Sequence, residues 1–153
     1  MRLYLVQHGQ ALPKETDPER PLSEPGQADI TRLAKFLQNA NVQVSRVIHS
    51  GKKRAQQTAD LLTSAICPGE TTQEAMGLNP NDPVEEFAAK ASQWQEDTLV
   101  VGHLPFLAKL VDHLLAKGQG EVVSFRPGTV VCLERIDPQG WTIAWMIRPE
   151  LLT

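Results

Sequence analysis

A chain of 153 residues with 41% hydrophobic and 22% charged residues has ordinary single-domain size and composition, which excludes a disordered or fibrous protein and predicts one domain over 1–153. Its net charge of −3 excludes the broad basic surface that nucleic acid or an anionic membrane favours, so any anion site must be local. The apolar run Leu3–Val6 is too short for a signal sequence and no stretch approaches the roughly 20 apolar residues of a membrane span, so a cytoplasmic location without membrane association is expected. Cys67 and Cys132 are too few for a disulfide framework and have no CxxC spacing, which reads as two buried, reduced thiols.

In chain order, Leu3 to Val6 is a short β-favouring run that ends at His8-Gly9, where glycine allows a sharp turn. After a loop rich in proline and charge, Ser23 is placed to cap a helix whose Ile30, Leu33, Ala34 and Leu37 fall at i, i+3, i+4 and i+7. The stretch Arg46 to Ser50 contains a second strand candidate, Val47-Ile48, and leads through Gly51-Lys52-Lys53 into a helix over Arg54 to Ile66, striped by Ala55, Ala59, Leu62 and Ile66. Residues 67 to 81 read as loop, with a short strand near Ala75 to Leu78. Asp82, as a capping carboxylate before Pro83 and Glu85, predicts a helix running to about Gln95. Thr98 to Val101 is a buried strand ending at Gly102-His103, and Leu104-Pro105 opens a helix carrying Leu107, Leu110, Val111 and Leu114, with Gly118 as its C-cap. Thr129 to Ile136 and Trp141 to Ile147, joined by Asp137-Pro138-Gln139-Gly140, predict a β-hairpin.

Strands alternating with helices imply an α/β fold with a mostly parallel central sheet, helices on both faces and a C-terminal β-hairpin, because parallel strands need crossover connections. Ligands bind such sheets at the carboxyl ends of the strands, where the pattern gathers His8, His49-Ser50 and His103. His113, beside its helix's apolar stripe, reads as a surface residue, and Trp94, Trp141 and Trp145 read as packing.

Val-Gln-His-Gly at 6 to 9, Ser-Gly-Lys-Lys-Arg-Ala-Gln-Gln-Thr-Ala at 50 to 59 and Val-Gly-His-Leu-Pro at 101 to 105 resemble the three ordered signatures of the histidine phosphatase superfamily. The short length and Arg20-Pro21-Leu22-Ser23 resemble its phosphohistidine phosphatases of the SixA type. The resemblance implies a phosphoglycerate-mutase-like sheet, no metal or other cofactor, and a phosphorylated histidine-containing protein or a small phosphorylated compound as partner. It implies that His8 is the nucleophile, taking up the phosphoryl group and releasing it by hydrolysis, which divides one difficult displacement into two. Arg54 and His103 then supply the fixed donors that negatively charged phosphoryl oxygens require, with Gln7, Arg20 and Ser23 as substrate-binding residues.

The family pattern has arginine where this chain has Gln7. An amide donates hydrogen bonds but brings neither charge nor the guanidinium fork, which implies a weakened anion site. Arg20 is favoured over Lys52 and Lys53 as the compensating cation. Larger members also carry a carboxylic acid over the leaving group; Glu74 and Asp82 lie near that region, but Asp82 reads better as a cap, so no dedicated acid is expected. That suits a phosphoramidate, whose protonated ring leaves as neutral imidazole. Two rival readings are a phosphate- or phosphohistidine-binding module with little turnover, and a zinc hydrolase built on three strand-end histidines.

Overall fold

The structure, a computed structural model, describes residues 1–115, 120, 122–136 and 140–152. Among the described residues, six strands and four α-helices follow in the order β1 (Arg2–Gln7), α1 (Glu24–Asn39), β2 (Arg46–His49), α2 (Lys53–Ile66), β3 (Gln73–Glu74), α3 (Val84–Ala91), β4 (Thr98–Gly102), α4 (Phe106–Leu115), β5 (Val130–Ile136) and β6 (Gly140–Ile147). One sheet holds all six strands in the order β3-β2-β4-β1-β5-β6. The four strands β3, β2, β4 and β1 run parallel, whereas β5 pairs antiparallel with both of its neighbours, β1 and β6.

The period of two along a strand sends alternate residues to opposite faces, and here both faces are covered. On one face Leu3, Leu5, Val100, Val131 and Leu133 pack against Phe87 of α3 and Phe106, Leu107 and Leu110 of α4. On the other, Tyr4, Val6, Leu99, Val101 and Cys132 pack against Ile30, Leu33 and Leu37 of α1 and Leu62 and Ile66 of α2. Parallel strands buried on both sides read as unbroken apolar runs, which is why β1 and β4 were so plain in the sequence. Trp141 is in the core, Trp145 tilts against Tyr4 at 5.9 Å, and Trp94 meets Phe87 edge-on at 5.5 Å. Cys67 and Cys132 are buried and unpaired, and burial pushes the Cys132 thiol up to about 11.

Three expectations shift. The short strand is not Ala75 to Leu78 but Gln73–Glu74, because pairing with the short β2 sets the register at Ile48 with Gln73 and His49 with Glu74. Leu78 instead drops into the core and anchors the loop. Asp82 does not cap α3: its Oδ2 accepts from the Asn79 backbone N–H at 2.8 Å, closing a turn one residue early, and Pro83 occupies the N-cap position with no side-chain cap bond. That helix also stops at Ala91 rather than near Gln95, and beyond it Trp94 lies beneath the Arg46 guanidinium at 4.3 Å. Gly118 as a C-cap and the turn residues Asp137 to Gln139 lie outside the described residues. Among the described residues, no helix is long and apolar enough to cross a membrane.

Candidate active site

Because β1, β2 and β4 run parallel, the residues that follow them emerge at one edge of the sheet. The His8 N–H donates to the Gly102 carbonyl at 3.1 Å, continuing the β1–β4 ladder one step past the Gln7–Gly102 pair. This brings His8 beside His103, with ring centroids 5.0 Å apart. Gly9 is required for close approach: a Cβ there would meet Ile30 Cγ1 at 2.8 Å and the Gly26 carbonyl at 3.2 Å. The Gly9 N–H donates to the buried Thr58 hydroxyl at 3.0 Å, and that hydroxyl donates to the Arg54 carbonyl one turn earlier at 2.8 Å. Thr58 therefore ties the His8 turn to the first turn of α2, which carries Arg54. Thr58 lies inside the 50–59 motif, the only sequence signal of this role.

The hydrogen bonds of His8 select one ring form. Nδ1 is 2.7 Å from the Gly9 carbonyl, a partner that only accepts, so Nδ1 carries the hydrogen. Nε2 keeps its lone pair and accepts from the Arg54 Nε–H at 3.3 Å. Burial, and secondarily the charges of Arg54 and Arg20, lower the His8 pKa to about 4 against the opposing pull of the Gly9 carbonyl. His103 is 1% exposed and its pKa is lowered to about 3, chiefly by burial and then by His8, Arg54, Lys52 and Arg20. Both imidazoles are neutral near pH 7. Arg54 is pushed down by burial and by Arg20 yet remains a cation, since an arginine titrates far above neutral pH.

Arg20 belongs to this cluster: its charge acts on His8, Arg54 and His103, while its Nε donates to the Leu12 carbonyl at 3.1 Å. It holds a left-handed backbone, with φ at +50°, rare for a residue with a side chain. Lys52 is half-buried and its charge reaches His103, whereas Lys53 is exposed. Gln7 is 8% exposed, and its Oε1 is buried without a hydrogen-bond partner among the described residues. Ser23 serves as the N-cap of α1: its Oγ accepts from the Gly26 N–H at 3.1 Å and donates to the Gln10 carbonyl at 3.2 Å. It thereby braces the loop after His8, and its hydroxyl is already engaged by backbone. His49 is buried, and His113 is exposed on α4.

A cleft of about 510 Å³ is lined by Ser50, Glu74, Met76, Asp82, Glu86 and other residues of the β3–α3 segment, and neither His8 nor His103 is among its lining residues. Ser50 joins the two regions, its Oγ lying 2.6 Å from His103 Nε2. Among the described residues, no three His, Cys, Asp or Glu side chains come together as a set able to hold a metal ion, so the strand-end histidines do not converge as zinc ligands.

A helix-flanked sheet whose strand ends bring two imidazoles and a guanidinium together is an α/β protein with a candidate anion site. Residues 3–78 match the histidine phosphatase superfamily (branch 1), and the chain belongs to that superfamily. It is 25% identical over 155 residues to the phosphohistidine phosphatase SixA of Escherichia coli strain K12, covering 97% of this chain and 94% of that protein. The structure of a protein histidine phosphatase SixA complexed with tungstate superposes with a TM-score of 0.86 over 99% of both chains at 23% identity. The alpha-ribazole phosphatase of Shigella flexneri superposes with a TM-score of 0.76 over 97% of both chains at 19% identity. The fold is the phosphoglycerate-mutase-like one.

Proposed function

We propose that this chain is a cytoplasmic phosphatase that transfers a phosphoryl group to His8 Nε2 and then to water, with phosphohistidine of a phosphotransfer protein as its substrate. The observation that carries the reading is the prepared state of His8: neutral, its Nδ1–H held by the Gly9 carbonyl, its Nε2 lone pair turned to Arg54. In the first step the Nε2 lone pair forms the N–P bond while the bond from phosphorus to the leaving group breaks. A ring-protonated phosphohistidine departs as neutral imidazole and needs no further acid. In the second step a water oxygen attacks phosphorus, the N–P bond breaks, and Nε2 regains its lone pair. The Gly9 carbonyl stabilises the positive charge that the phosphorylated ring carries, and Arg54 and Arg20 offset the charge on the phosphoryl oxygens.

The likeness to SixA supports phosphohistidine over an alkyl phosphate, and the tungstate in that protein's structure supports an oxyanion site. A second reading, a phosphohistidine-binding module with little turnover, draws support from the uncharged Gln7. Incubation with several phosphohistidine proteins and aryl phosphates, followed by mass spectrometry, tests both. Phosphate on His8 with continued release supports the phosphatase; a stoichiometric label without release supports the module; no label at His8 overturns the covalent mechanism.

A further inference from the structure

Helix α2 holds the loop that follows His8 at both ends. Near His8, the Gly9 N–H donates to the Thr58 hydroxyl. At the far end, the Leu22 N–H donates to the Gln57 side-chain Oε1 at 2.7 Å. Gln57 and Thr58 stand three and four residues after Arg54, the spacings that share one face of a helix, so both anchors lie along the part of α2 that carries the guanidinium. Between the anchors the loop is bonded to itself. Ala11 bridges Leu22, the Leu12 N–H donates to the Pro21 carbonyl at 2.8 Å, and the Arg20 N–H donates to the Asp17 carbonyl at 3.0 Å. Arg20 stands two residues before Leu22, and Pro21 between them has its φ locked by its ring. The left-handed backbone of Arg20 persists only where its surroundings hold it. Leu22 supplies a fixed point: its side chain is buried in the core on the α1 and α2 face of the sheet, and its N–H is on Gln57. From this backbone the Arg20 Nε–H reaches the Leu12 carbonyl, and the Arg20 charge is felt at His8, Arg54 and His103.

We propose that Gln57 is a positioning residue for Arg20: by holding the Leu22 N–H it fixes the backbone from which Arg20 extends, and so sets the spacing between the Arg20 charge in the loop and the Arg54 charge on α2. The proposal rests on the phosphoryl-binding reading above, in which both cations act on one phosphoryl group. Gln57 acts on that group through Arg20 and makes no contact with it. One helix thereby carries the first cation directly and holds the second through a side-chain amide.

A double-mutant cycle in orthovanadate affinity tests it, with the wild type, Gln57→Leu, Arg20→Ala and the variant carrying both. Leucine removes the acceptor at nearly constant volume. Arg20→Ala should weaken vanadate by about tenfold or more, the effect of losing a charged donor, and Gln57→Leu should weaken it by up to the same factor. The double variant should bind no more weakly than Arg20→Ala alone, because a residue that works through Arg20 has nothing to act on once Arg20 is gone. A merely structural loss would instead add to that of Arg20→Ala. Additive losses therefore overturn the proposal, as does unchanged affinity in either single variant. A phosphate label on His8 alongside those results would leave the phosphatase reading standing, whereas wild-type protein that binds no vanadate overturns both. Should Gln57→Leu fail to fold, Gln57→Ala repeats the cycle, and a structure of the wild type with vanadate decides independently. Arg20 turned away from the oxyanion there, or a Leu22 N–H that has left Gln57, overturns the proposal.

Discussion

The ends of β1 and β2, parallel strands on either side of β4, present histidines at comparable positions, and the two rings are held in opposite ways. At the end of β1, His8 donates from Nδ1 to its neighbour's carbonyl, which leaves Nε2 unprotonated and facing a cation. At the end of β2, His49 is 4% exposed and its Nδ1 accepts from the Gly51 N–H at 3.0 Å, so its lone pair is consumed in shaping the turn that carries Ser50 to His103. Burial lowers the pKa of both rings. On the proposed reading, what suits a strand-end histidine to attack is whether its Nδ1 donates to the local backbone or accepts from it, and a lowered pKa alone does not distinguish the two.

The sharpest way to break this contrast is to truncate each ring. His8→Ala should abolish phosphate release, by about four powers of ten or more, while retaining the native circular dichroism spectrum. His49→Ala should keep turnover within about tenfold and instead lower the thermal midpoint, since it removes a buried side chain and the partner of the Gly51 N–H. Comparable losses of rate in the two variants would erase the distinction. Next in size is Arg54→Ala. Removing a charged donor aimed at the phosphoryl group should lower the rate by about two to three powers of ten and weaken vanadate in a titration, while Lys53→Ala, one residue away and exposed, should change neither. Equal affinities in the wild type and Arg54→Ala would move Arg54 out of the site.

What the sequence disclosed follows the same division. Strands buried on both faces write themselves as apolar runs, so β1 and β4 were legible to within a residue or so at each end, and the α1 stripe at Ile30, Leu33, Ala34 and Leu37 marked the buried face of its helix. The β3–α3 segment was read less well because its order comes from tertiary contacts: Gln73 and Glu74 become a strand only through the register with β2, and Asp82 finds the Asn79 N–H before it finds a helix. Within the site, the motifs pointed to His8, Arg54 and His103. They did not show that Thr58 couples Gly9 to the Arg54 turn or that Ser50 meets His103, because both links join residues some fifty positions apart through side-chain hydroxyls.

Gln7 sharpens the comparison from the electrostatic side. It is the last residue of β1, directly before His8, buried, and its Oε1 has no partner among the described residues. By resemblance to the family an arginine belongs there. If the site is a working phosphatase short of one cation, Gln7→Arg should raise the rate on an aryl phosphate by about tenfold, as a bidentate charged donor is restored. A fall in rate would mean that Arg20 already occupies the space the guanidinium needs, and that the amide is a specificity adaptation.

The smallest effect belongs to Ser23, and it separates support of the site from participation in it. The resemblance casts Ser23 as a substrate contact, but its hydroxyl accepts from the first turn of α1 and donates to the Gln10 carbonyl. The Ser23 N–H donates to the same carbonyl at 2.9 Å, so the loop after His8 stays attached to the helix even without the side chain. Ser23→Ala should therefore cost about 1 kcal/mol of stability through the lost cap and leave vanadate affinity unchanged. Ser23→Asp, which restores a capping acceptor and adds a favourable negative charge at a helix N-terminus, should recover most of that stability. Urea unfolding of the three proteins at one pH measures the first effect, and a vanadate titration measures the second. A loss of vanadate affinity in Ser23→Ala without a loss of stability would reinstate Ser23 as a phosphoryl contact; the reverse pattern makes it a brace, holding the turn that leaves His8 Nε2 facing Arg54.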